Sequence, residues 1–125
     1  MSEFRTDRPI YRQIVDYACA LILKGQWLPG EKIPSVRELA VGMGVNSHTV
    51  LKAFDELQQQ GLITPRRGMG FFLADNAPRL VQQKNRQEFF VDTMPEIFSR
   101  MASLGITIDE IVGEYREWEH KVKSL

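Results

Sequence analysis

The sequence predicts a mostly helical fold that contains one small β-hairpin. Apolar residues recur three and four positions apart along most of the 125-residue chain, which is the spacing of helices that bury one face. Two short apolar stretches flank the glycine-rich segment 67–70, which is typical of a hairpin. With 43% hydrophobic and 26% charged residues, the chain can bury one modest core, so self-association would add to its stability.

The first helix is predicted to run from about Pro9 to Lys24 and to be followed by a loop over residues 26–34. Proline suits the first turn of a helix, Asp7 is a capping residue nearby, and Gly25 ends the helix. The apolar face of this helix is predicted to consist of Ile10, Ile14, Tyr17, Ala18 and Leu21.

The second helix is predicted to start at Ser35. Ser35 and Glu38 have the spacing of a capping box, in which the hydroxyl and the carboxylate each accept a backbone N–H hydrogen bond. Gly42 and Gly44 are expected to release the chain into a tight turn. The residues expected to face the core are Val36, Leu39 and Ala40.

The third helix is predicted to start near Asn46, a favourable N-cap residue, and to end at Gly61. Its buried stripe is predicted to be Val50, Ala53, Phe54 and Leu57. Its opposite face is predicted to expose Ser47, His48, Leu51, Lys52 and Asp55. Two short helices joined by a tight turn can place the exposed end of the second helix in a DNA groove.

Two short strands are predicted next, over Leu62–Arg66 and Gly70–Ala74, with a glycine-rich turn between them. Pro65 marks the first strand as an edge strand, because proline has no N–H group to pair with a further strand. The segment from Asp75 to Pro78 is predicted to be a short linker.

A long helix is then predicted from Pro78 to Ser103, with Pro95 inside it and Gly105 just after it. Two interpretations of the proline remain open. The favoured one is a single helix that kinks at Pro95; the other is a fresh helix capped by Thr93 and Glu96.

The last helix opens with a second capping box, formed by Thr107 and Glu110, and is predicted to end near Val122. The chain is therefore divided into residues 1–76 and a helical region, residues 77–125. That region has too many apolar residues for two helices to bury alone, namely Phe89, Phe90, Met94, Phe98, Met101, Ile108, Ile111, Tyr115 and Trp118. We predict that they form the interface of a symmetric homodimer, which implies a palindromic binding site.

Composition also excludes several classes of function. Sixteen basic and sixteen acidic residues cancel, so DNA binding needs a local positive patch, and residues 32–72 carry a net charge of +2. Cys19 is the only cysteine and His48 and His120 are isolated, so no disulfide, metal site or cofactor is predicted. No catalytic motif of an enzyme is present. The absence of a signal peptide or a bilayer-spanning stretch predicts a cytoplasmic protein without a membrane partner.

Residues Pro9–Leu73 resemble the N-terminal DNA-binding domain of GntR-type bacterial transcription regulators. The match includes Pro-Ile-Tyr at 9–11, the stretch from Leu28 to Ala40, Gly-Leu-Ile at 61–63 and Arg-Arg-Gly at 66–68. The short helical tail is similar to that of the YtrA-like branch, where it serves dimerisation. The resemblance implies a winged helix-turn-helix that binds double-stranded DNA, with the third helix in the major groove and the hairpin, or wing, in the minor groove.

The resemblance assigns DNA contacts to Ser35, Arg37, Asn46, Ser47, His48, Thr49, Lys52, Arg66, Arg67, Gly68, Met69 and Gly70. Ordinary roles remain open for them: ion pairing for Arg37, capping by Asn46, and solvated arginines in a plain hairpin. Many relatives carry arginines near Ser47 and Leu51, so guanine recognition at these two positions is not expected. Leu51 would touch a thymine methyl group or pack on the wing.

Two functions from different classes follow. The first is a transcription regulator, by resemblance a repressor, which binds a palindromic operator as a homodimer; whether it takes a small-molecule effector is not predicted. The second is a winged-helix protein-interaction module without specific DNA binding, which the zero net charge keeps open.

Overall fold

A computed structural model describes residue 4 and residues 6–124 of the chain. The helices among these residues are α1 (Ile10–Leu23), α2 (Val36–Met43), α3 (Ser47–Gln59), α4 (Ala77–Glu88), α5 (Met94–Leu104) and α6 (Ile108–Lys123). A π-helical turn, Phe89–Thr93, joins α4 to α5. The strands β1 (Ile63–Arg66) and β2 (Gly70–Leu73) pair in antiparallel fashion. The predicted fold class, mostly helical with one β-hairpin, is confirmed.

The chain divides into two compact units, and the division falls after Lys84, inside α4. The predicted boundary between residues 76 and 77 stays a prediction; residues 1–3, 5 and 125 of the two predicted regions lie outside the described residues. The core lies in the first unit, where α1, α2 and β1 each pack against α3.

Helix α1 has nearly the predicted bounds, but its buried face differs from the predicted one. Its N-cap position is Pro9, which makes no side-chain capping bond of its own. Ile10, predicted to face the core, is 42% exposed, and Tyr17 and Leu21 are only partly buried. The apolar residues of α1 lie on adjoining stripes of the helix, and packing against α3 determines which of them are buried. The buried residues are Ile14, Val15, Ala18, Cys19 and Ile22.

Local signals set the bounds of α2 and α3 as predicted. In the capping box of α2, the Ser35 hydroxyl accepts the Glu38 N–H and the Glu38 carboxylate accepts the Ser35 N–H, each at 3.0 Å. The Asn46 side chain caps α3 by accepting the His48 N–H at 2.8 Å. Gly44 ends α2 in the left-handed conformation (φ 68°), whereas Gly42, predicted to lie in the turn, lies inside the helix. The four predicted core residues of α3 are all fully buried.

Strand β2 is the central strand of a three-segment ladder. It pairs with β1 on one side, and on the other side the Gly30 and Ile33 N–H groups donate to the Leu73 and Phe71 carbonyls. Lys32 forms an isolated bridge with Phe72 there. Strand β1 therefore lies at an edge, and its proline is accommodated there as predicted.

The predicted linker is wrong in its second half, because α4 already begins at Ala77. Ala77 and Val81 are buried in the core of the first unit, and this packing extends the helix toward the wing. Pro78 is tolerated since the first helical turn does not need its N–H group.

Helical backbone continues past Pro95, in agreement with the favoured interpretation of one distorted helix. Thr93 has helical dihedral angles and makes no side-chain cap, which rules out the alternative of a fresh capped helix. The Met94 N–H donates to the Phe89 carbonyl, a bond of π-helical span. The wider turn accommodates a residue that cannot donate an N–H bond of its own.

Helix α6 begins with the predicted capping box, in which the Thr107 hydroxyl accepts the Glu110 N–H at 3.2 Å. Neither α5, α6 nor the π turn buries any residue within the chain. Met94 and Met101 are half-buried, and the other predicted interface residues are exposed, up to 60% for Ile108. Phe89 stacks edge-on to Phe90, and Tyr115 lies beside Trp118, both with ring centroids 5.7 Å apart.

Candidate nucleic-acid interface

The N-terminal half of α3 presents a polar face to solvent. Its buried stripe lies on the opposite side, so Ser47, His48 and Lys52 are exposed and Thr49 is half-buried. Leu51 lies on the same exposed face and is 44% accessible. Because Asn46 caps the helix through the His48 N–H, its side chain already has a structural partner.

Lys52 is held by α1 rather than extended freely into solvent. Its Nζ atom lies 4.2 Å from the centroid of the Tyr11 ring, a cation–π geometry. Arg12 makes an ion pair with Glu56 of α3 at 3.8 Å. The contact with Tyr11 orients Lys52, and sequence reasoning missed it, since Tyr11 is distant from Lys52 along the chain.

Helix α2 contributes its first turn to the same unit. Arg37 is exposed at the second helical residue, while the Ser35 N–H and hydroxyl are both engaged with Glu38. The hydrogen bond from the Ser35 N–H is the main cause that lowers the pKa of Glu38, and the bond that involves the Ser35 hydroxyl is the second. The positive charge of Lys32 lowers this pKa further. Ser35 therefore has a clear structural role as a cap, beside any contact with DNA.

The wing turn takes its shape from two glycines. Gly68 and Gly70 have φ angles of 74° and 99°, which residues with a side chain rarely adopt. The Met69 N–H donates to the Arg66 carbonyl at 2.9 Å, and the Met69 side chain is 55% exposed at the tip. Arg67 is exposed in the same turn.

The two wing arginines are not equivalent. The Arg66 guanidinium lies 3.9 Å from the centroid of the Phe72 ring, so it is held along the sheet. Arg67 follows β1 and belongs to the turn. The two arginines are adjacent in the sequence, which gives no sign of this difference. The difference arises from the strand register, which places Arg66 in the sheet and Arg67 in the turn.

An aromatic contact joins the wing to α3. The ring of Phe71 lies edge-on to that of Phe54 in α3, with centroids 5.1 Å apart. Phe71 is half-buried against the core and fixes the wing beside the helix. All twelve residues assigned to DNA contact therefore belong to the first unit, on α2, α3 and the wing.

One basic residue near the wing was missed as a site residue. Lys32 pairs with the outer edge of β2, and a methyl group on Gly70 would lie 3.0 Å from its Cε atom. The sequence gives little sign of this role, because Lys32 lies in a loop 34 positions before Arg66.

Other kinds of site find little support among the described residues. These residues contain no cluster of three or more histidines, cysteines or carboxylates that could hold a metal ion. None of the described helices is long and apolar enough to cross a membrane. Cys19 is packed in the core of the first unit.

Comparison with known proteins matches this geometry to a family. The family model for bacterial regulatory proteins of the gntR family matches residues 10–73. The chain is 32% identical over 111 residues to the HTH-type transcriptional regulator YhcF of Bacillus subtilis, covering 89% of this chain and 90% of that protein. It is 47% identical over 73 residues to the HTH-type transcriptional repressor YtrA of Bacillus subtilis, covering 58% of this chain and 56% of the repressor.

Solved structures give the same result. A GntR-family transcriptional regulator from Bacteroides thetaiotaomicron superposes with a TM-score of 0.79 and 38% identity, over 90% of this chain and 97% of that one. The DNA-binding domain of AraR in complex with operator ORR3 superposes with a TM-score of 0.52 and 39% identity, over 59% of this chain and 87% of that one.

Proposed function

Because this chain belongs to the GntR family of bacterial regulatory proteins, a family of DNA-binding transcription regulators, we propose that it is a repressor that binds a palindromic operator as a homodimer. The observation that carries the proposal is the polar face of α3 beside a glycine-shaped, arginine-bearing wing, all on one packed unit. Within it, α3 enters the major groove and the wing enters the minor groove.

The proposed DNA contacts fall into two groups. The α3 face, Ser47, His48, Thr49 and Lys52, meets the bases and phosphates of the major groove, with Asn46, Ser35 and Arg37 at the adjoining helix starts. The wing, Arg66 to Gly70, enters the minor groove, where a narrow groove attracts arginine. The likeness to the AraR domain, whose structure contains an operator, supports this placement.

The homodimer follows from the second unit. Phe98 is 49% exposed and Trp118 is 58% exposed, and no residue of α5 or α6 is buried within the chain. Apolar surface of this kind is stabilised when two copies cover each other about a two-fold axis. A two-fold dimer presents two copies of α3 and therefore reads two inverted half-sites.

Repression is the simplest outcome of binding at such a site, since an occupied operator blocks access of RNA polymerase. The similarity to the repressor YtrA supports this direction of regulation.

Selection of bound DNA from a random pool tests the proposal directly. We expect enrichment of an inverted repeat. Arg66→Ala/Arg67→Ala should weaken binding to the selected site. It should also make the slope of log affinity against log salt concentration shallower by about 1 for each phosphate that the wing no longer neutralises. The matched control is Arg79→Ala/Arg100→Ala, which removes two arginines outside the wing and changes the net charge equally.

The alternative, a protein-interaction module without specific DNA binding, draws on the zero net charge of the chain. It would be supported if the selection enriched no DNA sequence. The DNA role of the wing alone would be rejected if the wing double variant kept the affinity and salt dependence of the wild-type protein.

A further inference from the structure

The outer face of the wing sheet carries two cations in a defined arrangement. Directly paired residues of antiparallel strands share a face, so Lys32, Phe72 and Thr64 lie in one row across the ladder. Arg66 and Gly70 form the next row on that face, two positions along each strand. The opposite face packs on the core through Ile63, Phe71 and Leu73.

Phe72 forms the base of this outer face. Its side chain is only 9% exposed, yet it is not part of the core cluster of the first unit. The Arg66 guanidinium, at 3.9 Å from the ring centroid, covers it. A guanidinium that lies over an aromatic ring keeps its N–H donors in its own plane, where they can still bind an anion.

Lys32 lies on the other side of Phe72. Its stem crosses Gly70, since a methyl group there would lie 3.0 Å from Cε and 3.7 Å from Nζ. Lys32 is exposed and makes no ion pair within 4.0 Å among residues 4 and 6–124. The two rows contain no carboxylate, and the acidic group that Lys32 influences, Glu38 at the start of α2, lies outside them.

We propose that Lys32 and Arg66 bind DNA backbone phosphates on the outer face of the wing, with Phe72 and Gly70 as positioning residues. This inference rests on the proposed DNA-binding function. A guanidinium held along the sheet is suited to the sugar–phosphate backbone at the groove wall, whereas Arg67 in the turn can enter the groove. The pair therefore adds affinity that is independent of base sequence.

The first test removes the charge of Lys32 with little change in size. For Lys32→Gln, the dependence of log affinity on log salt should become shallower by about 1, equally on the selected operator and on a random duplex. Lys24→Gln, at an exposed lysine just after α1, is the matched control and should keep the wild-type slope. An unchanged slope for Lys32→Gln, or a loss confined to the operator, overturns the phosphate assignment.

The second test addresses Phe72 as a positioning residue. Phe72→Leu stays apolar but removes the aromatic face, so Arg66→Gln should cost less affinity in that background than in the wild-type protein. Phe72→Tyr keeps the ring and should restore the full cost, which a merely structural role would not predict. Equal costs in all three backgrounds overturn the positioning role, and circular dichroism confirms that each variant is folded.

These outcomes are distinguishable from failure of the proposed function itself. If the wild-type protein prefers no DNA sequence, the proposed function is wrong. If it binds a selected operator and Arg67→Ala weakens that binding while Lys32→Gln changes nothing, only the phosphate assignment is wrong.

Discussion

Lys52 and Tyr11 illustrate how single residues prepare the DNA-facing side of α3. A lysine on an exposed helix samples many rotamers, and fixing it costs conformational entropy when it binds. The Tyr11 ring, 4.2 Å from Nζ, restricts those rotamers before DNA arrives. The entropy is then lost on folding rather than on binding, which favours affinity.

A double-mutant cycle measures this effect. Tyr11→Leu should weaken operator binding, and Lys52→Ala should cost less affinity in the Tyr11→Leu background than in the wild-type protein. Exposed cation–π contacts contribute about 0.5–1 kcal/mol, so the coupling should be of that order. Tyr11→Phe retains the ring and serves as the control. Strict additivity of the two changes would show that Tyr11 does not act through Lys52.

The lowered pKa of Glu38 predicts how the stability of the folded chain depends on pH in the acid range. Its pKa is lowered in the folded chain by the bonds with Ser35, so below the ordinary pKa of a glutamate the unfolded chain binds a proton first. The stabilisation is complete above that ordinary pKa and is lost as the pH falls through the lowered one. Thermal unfolding of Glu38→Gln should therefore depend less on pH over this acid range than that of the wild-type protein.

Ser35→Ala is the companion variant for this measurement. It removes the hydroxyl and should cost about 1 kcal/mol of stability at neutral pH, a usual value for an N-cap. It should also flatten the acid dependence in part, because the backbone bond to Glu38 remains. If Glu38→Gln loses stability with acid as steeply as the wild-type protein, the capping box is not the source.

At the scale of elements, the wing is a hairpin whose turn depends on glycine. Gly70 combines a φ angle of 99° with the close approach of the Lys32 stem, so a side chain there meets both backbone strain and a neighbour. The edge-on contact of Phe71 with Phe54 carries the position of the wing to α3. A substitution in the turn should therefore displace the whole wing.

Gly70→Ala should lower the free energy of unfolding by about 1–2 kcal/mol, since left-handed backbone with a Cβ atom costs that much. It should also weaken DNA binding, because the wing is displaced. Gly42→Ala is the contrasting control: Gly42 lies inside α2 with nothing within 4 Å of an added methyl group. That change should raise stability by up to about 1 kcal/mol. Chemical denaturation measures both, and equal effects of the two substitutions would contradict the role given to Gly70.

At the scale of the whole molecule, the first unit contains the core and the proposed DNA contacts, while the second unit contains exposed aromatic residues. A single α3 reads too few base pairs for high specificity, so two copies on one operator are needed. The proposed homodimer links these two features, because it gives the second unit a buried partner surface and the operator its symmetry.

Phe98→Glu/Trp118→Glu should weaken dimerisation by about 30-fold or more, the effect of losing an interface hot spot of about 2 kcal/mol. Sedimentation velocity gives the association state, and affinity for a full palindrome should fall while affinity for a half-site is unchanged. Val41→Glu is the control, because Val41 is an apolar residue of the first unit that is 77% exposed. A double variant that remains dimeric would place the interface elsewhere.

The sequence alone predicted the elements whose causes are local. The capping boxes at Ser35 and Thr107, the Asn46 cap and the buried stripe of α3 depend on residues within about one or two helical turns, so they could be identified without neighbours in space. The family resemblance could be identified for the same reason, since each of its motifs consists of consecutive residues of the sequence.

Only the tertiary structure decided how distant segments meet. It selected the buried face of α1, extended α4 to Ala77, placed Tyr11 on Lys52, and set Lys32 and Arg66 on either side of Phe72. These outcomes depend on packing and strand register between segments far apart along the chain, for which periodicity and capping carry no signal. The starts of α2, α3 and α6 are thus set locally, whereas the start of α4 and the positions of the proposed DNA-binding cations depend on the fold.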